Sequence, residues 1–439
     1  MKRHLMKTPY SILFLALSIL WSCQSPTAVT YKDYQSVYLP LEYVGGYGSF
    51  DPHFSRVYSG KTPPQSPWIP TEVPVKGLPE GWEDAAPKQL LFDAKQFAYQ
   101  NYLEGNIDSV RYASLTKSWK IDLEKRPLSP KSIRCFTHVV ARVLSDSTVE
   151  YILDINNNRD FSDDAIHIAQ PYDMNANPDS LVANAHLTEV ELFVNGEVIQ
   201  RKVPIIIQKG FTRGRLFIYY GYADHYEAHL RDQLIQLHTF VSVDLSDGEL
   251  LSGNPQKNRT SKQTLINEFL LIKDEIFLYK GANTFTQTVE LQKMPKDTTL
   301  YSTQIGFSAI PFEGISFRNQ DSIRLDEYLG KFLYLDFWGT WCKPCVNEIP
   351  KMKELYEELD LKKIAFLGIV QDKEESLTTF LERESIPWPQ LYSDDQQNFV
   401  DLYEITAYPT TFLINPEGII VEKDLTASEL REKLNAYLD

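Results

Sequence analysis

The sequence predicts a multidomain protein in which a β-rich N-terminal region, sandwich or barrel-like, precedes an α/β domain. Three observations carry that expectation. At 439 residues the chain is long for one ordinary domain. Between residues 90 and 304, apolar and β-branched residues recur in alternating runs. From residue 305 onward, buried-strand patterns alternate with helical ones, the texture of a sheet covered on both faces.

The N-terminus opens this order. Lys2, Arg3 and Lys7 form a basic n-region and Tyr10 to Trp21 a short apolar h-region, so residues 1–22 read as a signal peptide. The apolar run falls short of the roughly 20 residues a helix needs to cross a bilayer. It ends in "LWSC", which resembles a bacterial lipoprotein signal and implies acylation of Cys23 and a membrane anchor. Ordinary signal cleavage, leaving a soluble periplasmic protein, is the alternative. Residues 23–89 would then be an anchored tail and a Pro-, Gly- and Tyr-rich region of irregular chain and short strands.

The β-rich region, 90–304, contains "CFTHVVARVL", "TVEYILDI", "LTEVELFVNGEVIQRKVPIIIQ", "RLFIYYGY", "EFLLIKDEIFLYKG" and "TFTQTVELQK". Asn195–Gly196 inside the third run is a strong hairpin signal. No repeat and no motif there names a ligand.

In residues 305–439, "IRLDEYLG" reads as a short helix or turn and "KFLYLDFW" as a buried strand. "NEIPKMKELYEELD" is a helix, "KIAFLGIV" a strand, and "KEESLTTFLERES" and "QQNFVDLYEI" are two more helices. "TTFLI" and "GIIVEKD" pair through the turn "NPEG", and "SELREKLNAYL" closes the chain as a helix.

With 59 acidic and 44 basic residues the formal charge is −15, which repels phosphate backbones and excludes nucleic acid as a partner. Only four cysteines are present, so no dispersed disulfide framework staples the fold. Cys135, in a strand pattern, reads as a buried thiol. Cys342 and Cys345 sit two residues apart and admit three readings. A structural zinc site needs four ligands, yet there is no second close pair, and the eight histidines are scattered, His225 and His229 included. An inert disulfide across two residues closes too small a loop to stabilise much. Redox chemistry fits better. A strand should end near Trp338 and a helix begin at the cysteines, where the positive dipole end favours a thiolate. Cys342 would be the exposed nucleophile and Cys345 the more buried resolving thiol. Pro344 restricts the backbone between them, and Lys343 adds a nearby cation.

"YLDFWGTWCKPCVNEIP" resembles the active-site segment of the thioredoxin superfamily, most closely the exported TlpA/ResA-like thiol–disulfide oxidoreductases. The resemblance covers roughly residues 305–439 and implies a thioredoxin-like α/β fold. It also implies site roles. Asp336, six before Cys342, matches a buried acid that moves a proton near the second cysteine, and Glu348 matches the acid of ResA-like sites. Pro409 in "YPTTFLI" matches the cis-proline facing the cysteines, and Tyr408 before it would line substrate with Trp341. A peroxiredoxin would need proline seven before Cys342, where this chain has Leu335.

In "LDINNNRDFSDDA", Asp154, Asn156, Asn158 and Asp160 alternate as in a calcium-binding loop, with Asp163 or Asp164 as further donors. Arg159 and Ala165 occupy the glycine and glutamate positions, so an Asx-rich turn is the competing reading. No cofactor beyond the Cys342–Cys345 disulfide is expected, calcium apart. The resemblance implies a periplasm-facing enzyme of the cell envelope that reduces protein disulfides and is recharged by a transmembrane thiol–electron carrier. A lipoprotein binding or scaffold module with an accessory thioredoxin-like domain is the alternative.

Overall fold

The computed structural model describes residues 34–438 except 145–147, 174, 240–242, 253–263 and 396. Cys23 and the segment read as a signal peptide lie outside the described residues. The chain divides into two compact units, Lys32–Thr298 and Thr299–Asp439.

Among the described residues, the first unit holds four sheets, antiparallel except for the two-residue strand Gln170–Pro171. The alternating runs become strands, among them Phe136–Val143, Val149–Leu153, His186–Val194, Glu197–Thr212 and Arg215–Tyr222. Asn195 (φ 49°) and Gly196 (φ 87°) both take the left-handed region, closing a two-residue hairpin that pairs Val194 with Glu197. Side chains from two sheets, including Leu90, Val139 and Leu153 from one and Val203, Ile205 and Ile218 from the other, share one core. Each sheet is an open path, so the region is strand-rich without a closed barrel among the described residues. The strands Ser36–Pro40, Glu42–Gly45 and Ser55–Tyr58 pair with Thr288–Lys293, Asp224–Leu230 and Arg215–Tyr222. The two longer helices of the unit, Ala94–Leu103 and Ser109–Ser118, interrupt the β texture. The carboxylates of Asp93 and Asp108 cap them, accepting the N–H of Gln96 at 2.9 Å and of Arg111 at 2.8 Å.

The second unit is built on a mixed five-stranded sheet in the order Gln390–Tyr392, Ile364–Val370, Phe332–Trp338, Thr410–Ile414, Ile420–Lys423. The first three strands are parallel, Thr410–Ile414 runs antiparallel to the central strand, and Ile420–Lys423 runs antiparallel to Thr410–Ile414. Period-two alternation along the central strand sends Phe332, Tyr334 and Trp338 to one face and Leu333, Leu335 and Phe337 to the other. The first face packs against the helices Lys343–Glu358, Glu374–Arg383 and Ala427–Leu438 through Ile349, Met352, Leu377, Phe380, Leu430 and Leu434. The second packs against Phe312, Phe399 and Tyr403. The helix expected from "QQNFVDLYEI" is only Phe399–Leu402, since Glu404 takes φ 52° and ends it. Among the described residues no helix is long and apolar enough to cross a membrane.

Candidate active site

The central strand Phe332–Trp338 ends at Gly339, and Cys342 is the N-cap of the helix Lys343–Glu358. Its Sγ accepts the Cys345 N–H at 3.2 Å, so a sulfur takes the place usually held by a capping oxygen. Pro344 falls in the first turn, where the N–H it lacks would have no intrahelical partner. Lys343 is exposed beside it. The two sulfurs are bonded at 2.00 Å. Sequence reasoning expected Cys342 to be the exposed member of the pair, and here the structure differs. Cys342 and Cys345 are each 4% exposed, because the closed disulfide joins the core cluster containing Trp338, Ile349 and Met352.

Beside Cys345 lies a cavity of about 170 Å³ lined by Asp336, Pro344, Cys345, Glu348, Pro409 and Thr411, and also by Asp424 and Leu425. Asp336 reaches it because two-residue alternation puts it on the same face as Tyr334 and Trp338. Burial, and then the charge of Glu348, push its carboxyl up to about 7. Glu348 is tied down: Oε1 accepts the Ala427 N–H at 2.9 Å and Oε2 pairs with Lys351 Nζ at 2.9 Å. The two acids therefore differ. One is tied by a hydrogen bond to the start of the helix Ala427–Leu438, the other is poised to change protonation near neutral pH.

The Tyr408–Pro409 peptide is cis, as expected from the sequence. Tyr408 meets Trp341 edge-on with ring centroids 5.0 Å apart. Trp341 is 58% exposed, and its Nε1–H donates to the Gln371 carbonyl at 2.9 Å. Tyr408 Oη donates to Gln371 Oε1 at 2.7 Å. Gln371, Thr411 and Asp424 escaped sequence reasoning because no motif marks them. Gln371, just past one, and Thr411, within the other, come from the two strands that flank the central one at long sequence separation, and Asp424 follows the strand beyond.

A family model described as AhpC/TSA family matches residues 305–423. The thiol–disulfide oxidoreductase ResA of Bacillus subtilis (strain 168) is 32% identical over 122 residues, 28% of this chain and 67% of that protein. ResA of Geobacillus kaustophilus (strain HTA426) is 36% identical over 117 residues, 26% of this chain and 66% of that protein. The C-terminal domain belongs to the thioredoxin superfamily, with the ResA-like proteins. The chain spans about two thirds of these relatives' own length. Among solved structures, the thioredoxin domain of a thiol–disulfide oxidoreductase from Bacteroides vulgatus is 27% identical, covering 31% of this chain and 99% of that one at a TM-score of 0.29. Leu335 in the ResA-like domain stands where a peroxidatic site would need proline, so the AhpC/TSA match conveys the fold and not that chemistry.

Outside the ResA-like domain, Cys135 is fully buried, with its Sγ 3.7 Å from Gln100 Oε1. Burial, and then Asp93, hold its thiol well above the usual range, so it stays protonated. In the acidic loop, the carboxylate of Asp154 accepts the N–H groups of Asn158 (2.9 Å) and Arg159 (2.8 Å). Asn156 and Asn158 turn their amide nitrogens onto Asp163 Oδ2, each at 2.9 Å. Asp160 accepts the Ser162 N–H and pairs with Lys76 at 3.0 Å. The loop is held by Asx turns of its own making.

Proposed function

We propose that the protein is an envelope thiol–disulfide oxidoreductase that reduces protein disulfides in the bacterial periplasm through Cys342 and Cys345. One observation carries this reading: a single cavity unites Cys345, Asp336, Glu348 and Pro409 beside a disulfide at a helix N-terminus. In the reduced protein, the Cys342 thiolate attacks a substrate disulfide. A Cys342–substrate S–S bond forms as the substrate S–S bond breaks, and the first substrate thiolate leaves and takes a proton from water. Cys345 then passes its proton to the Asp336 carboxylate, and its thiolate attacks Cys342 Sγ. The second substrate thiolate departs, two electrons have moved to the substrate, and the Cys342–Cys345 disulfide remains. A dithiol of a transmembrane carrier would return the pair to its reduced form. Acylated Cys23 would keep the protein beside that carrier.

The direction is tested by equilibrating the full chain in glutathione buffers of rising reduced fraction and trapping free thiols by alkylation. A reductase keeps Cys342 and Cys345 disulfide-bonded when reduced glutathione predominates. A pair found as dithiol in those buffers overturns reduction in favour of oxidation or isomerisation.

A further inference from the structure

Trp341, next to Cys342, and Tyr408, next to cis-Pro409, come from two loops; Tyr408 packs in part against the domain core, and Trp341 stands largely outside it. Trp341 is 58% exposed, Tyr408 is half-buried, and Gln371 between them is itself exposed. An exposed indole free of partners would sample several rotamers, at an entropic cost to any substrate that had to fix it. Here one residue fixes both rings. The Gln371 carbonyl accepts the Trp341 Nε1–H at 2.9 Å, and its side-chain Oε1 accepts the Tyr408 hydroxyl at 2.7 Å. The rings then meet edge-on, at 75°.

The surrounding chain holds Gln371 still in turn. Its N–H donates to the Trp338 carbonyl at 3.1 Å, and the next residue, Asp372, accepts the Thr340 N–H at 2.6 Å. Tyr392 Oη donates to the Asp372 carbonyl at 2.7 Å. Gly339 leaves room for the contact: a Cβ there would lie 2.6 Å from Trp341 Nε1 and 2.8 Å from the Gln371 carbonyl oxygen. The result is an aromatic ledge, fixed before substrate arrives, running from the residue before Cys342 to the residue before cis-Pro409.

We propose that Gln371 is a specificity-determining positioning residue, which holds the Trp341–Tyr408 ledge to receive an aromatic or large aliphatic side chain next to the cysteine of a polypeptide disulfide. This rests on the thiol–disulfide exchange proposed above. The ledge gives apolar area and ring edges to such a side chain and nothing comparable to serine or glycine. Because the rings are already ordered, the contact acts through substrate affinity rather than through the sulfur chemistry.

The test uses the pre-reduced full chain in single-turnover reduction of two peptides. Each carries one intramolecular disulfide, and they differ only in phenylalanine or serine beside the first cysteine. The wild type should favour the phenylalanine peptide through a lower half-saturation concentration. Gln371→Leu, which cannot accept the tyrosine hydroxyl, should cut that preference about three- to tenfold, the worth of one hydrogen bond. Gln371→Glu keeps an acceptor and should retain the preference, which separates a lost bond from a misfolded loop. A preference unchanged in Gln371→Leu, or lost equally in Gln371→Glu, overturns the proposal. Wild-type reduction of both peptides without preference overturns the ledge alone. Reduction of neither overturns the exchange reading, and the ledge falls with it.

Discussion

Asp336 and Cys345 line the same cavity, one from the central strand and one from the first turn of the helix that begins at the disulfide. Below about pH 7 the Asp336 carboxyl is protonated and cannot take a proton from Cys345; above it, it can. Resolution of the mixed disulfide should therefore speed up as pH rises through about 7 and level off beyond. Asp336→Asn should remove that inflection and slow the step by about 10²-fold at pH 8. Stopped-flow measurement of substrate thiol release across pH 5–9 checks both.

The same group shapes stability in the opposite sense. Its folded pKa is raised, to about 7, above the roughly 3.9 of an unfolded aspartate. The folded state thus binds the extra proton, and the favourable contribution is full below about pH 4 and lost as pH climbs to about 7. Asp336→Asn should leave the midpoint of chemical unfolding near its wild-type value at pH 4. At pH 8 it should stabilise the domain by ~4 kcal/mol. Equal effects at the two pH values would contradict the assignment.

Glu348 acts on Asp336 by its charge and on the C-terminal helix by its oxygen. Glu348→Gln removes the charge, so the Asp336 inflection should move to lower pH while the acceptor for the Ala427 N–H survives. Glu348→Ala loses both. Lys351 is mostly exposed, so its ion pair adds little. The Ala427 bond, made to a carboxylate at a helix N-terminus, is worth ~2 kcal/mol. Denaturant unfolding of the two variants separates the contributions.

Much of this site was legible before any coordinates. Residue type and spacing marked Cys342 and Cys345, and the family resemblance of the segments around them marked Asp336, Glu348 and Pro409. Gln371 and Thr411 were not legible, because their meaning comes from which strand end lies beside Trp338 and Asp336. The β-rich unit repeats the lesson. Runs such as Phe136–Val143 announced themselves by alternation. The pairing of Ser36–Pro40 with Thr288–Lys293 is a contact over some 250 residues that no local period encodes. The helices of that unit were hidden for another reason. Ala94–Leu103 buries Gln96, Gln100 and Asn101 alongside Phe97 and Ala98, and Ser109–Ser118 fully buries no residue, so neither shows a clean apolar stripe. Exposure of Cys342 was misjudged because position before a helix says nothing of what the closed disulfide packs against.

Within the first unit, Arg126 is the hub of a buried ionic cluster. It pairs with Asp93, the N-cap of Ala94–Leu103, and with Asp244 at 2.6 Å, which Lys95 also reaches at 2.9 Å. Arg126→Met would leave the Asp93 and Asp244 carboxylates in the interior without the guanidinium they share. The expected loss is ~3–5 kcal/mol, read as an earlier unfolding transition of this unit by calorimetry. A shift below about 1 kcal/mol would mean the cluster is solvated in solution.

In the exchange proposed above, Cys342 forms the mixed disulfide and Cys345 resolves it. Pre-reduced full-length Cys345→Ala, mixed with a peptide carrying one intramolecular disulfide, should gain the mass of one peptide by intact mass spectrometry. The adduct should vanish with dithiothreitol and should not form when Cys342→Ala is added. No adduct on the single variant, or an equal adduct on the double variant, would contradict the account.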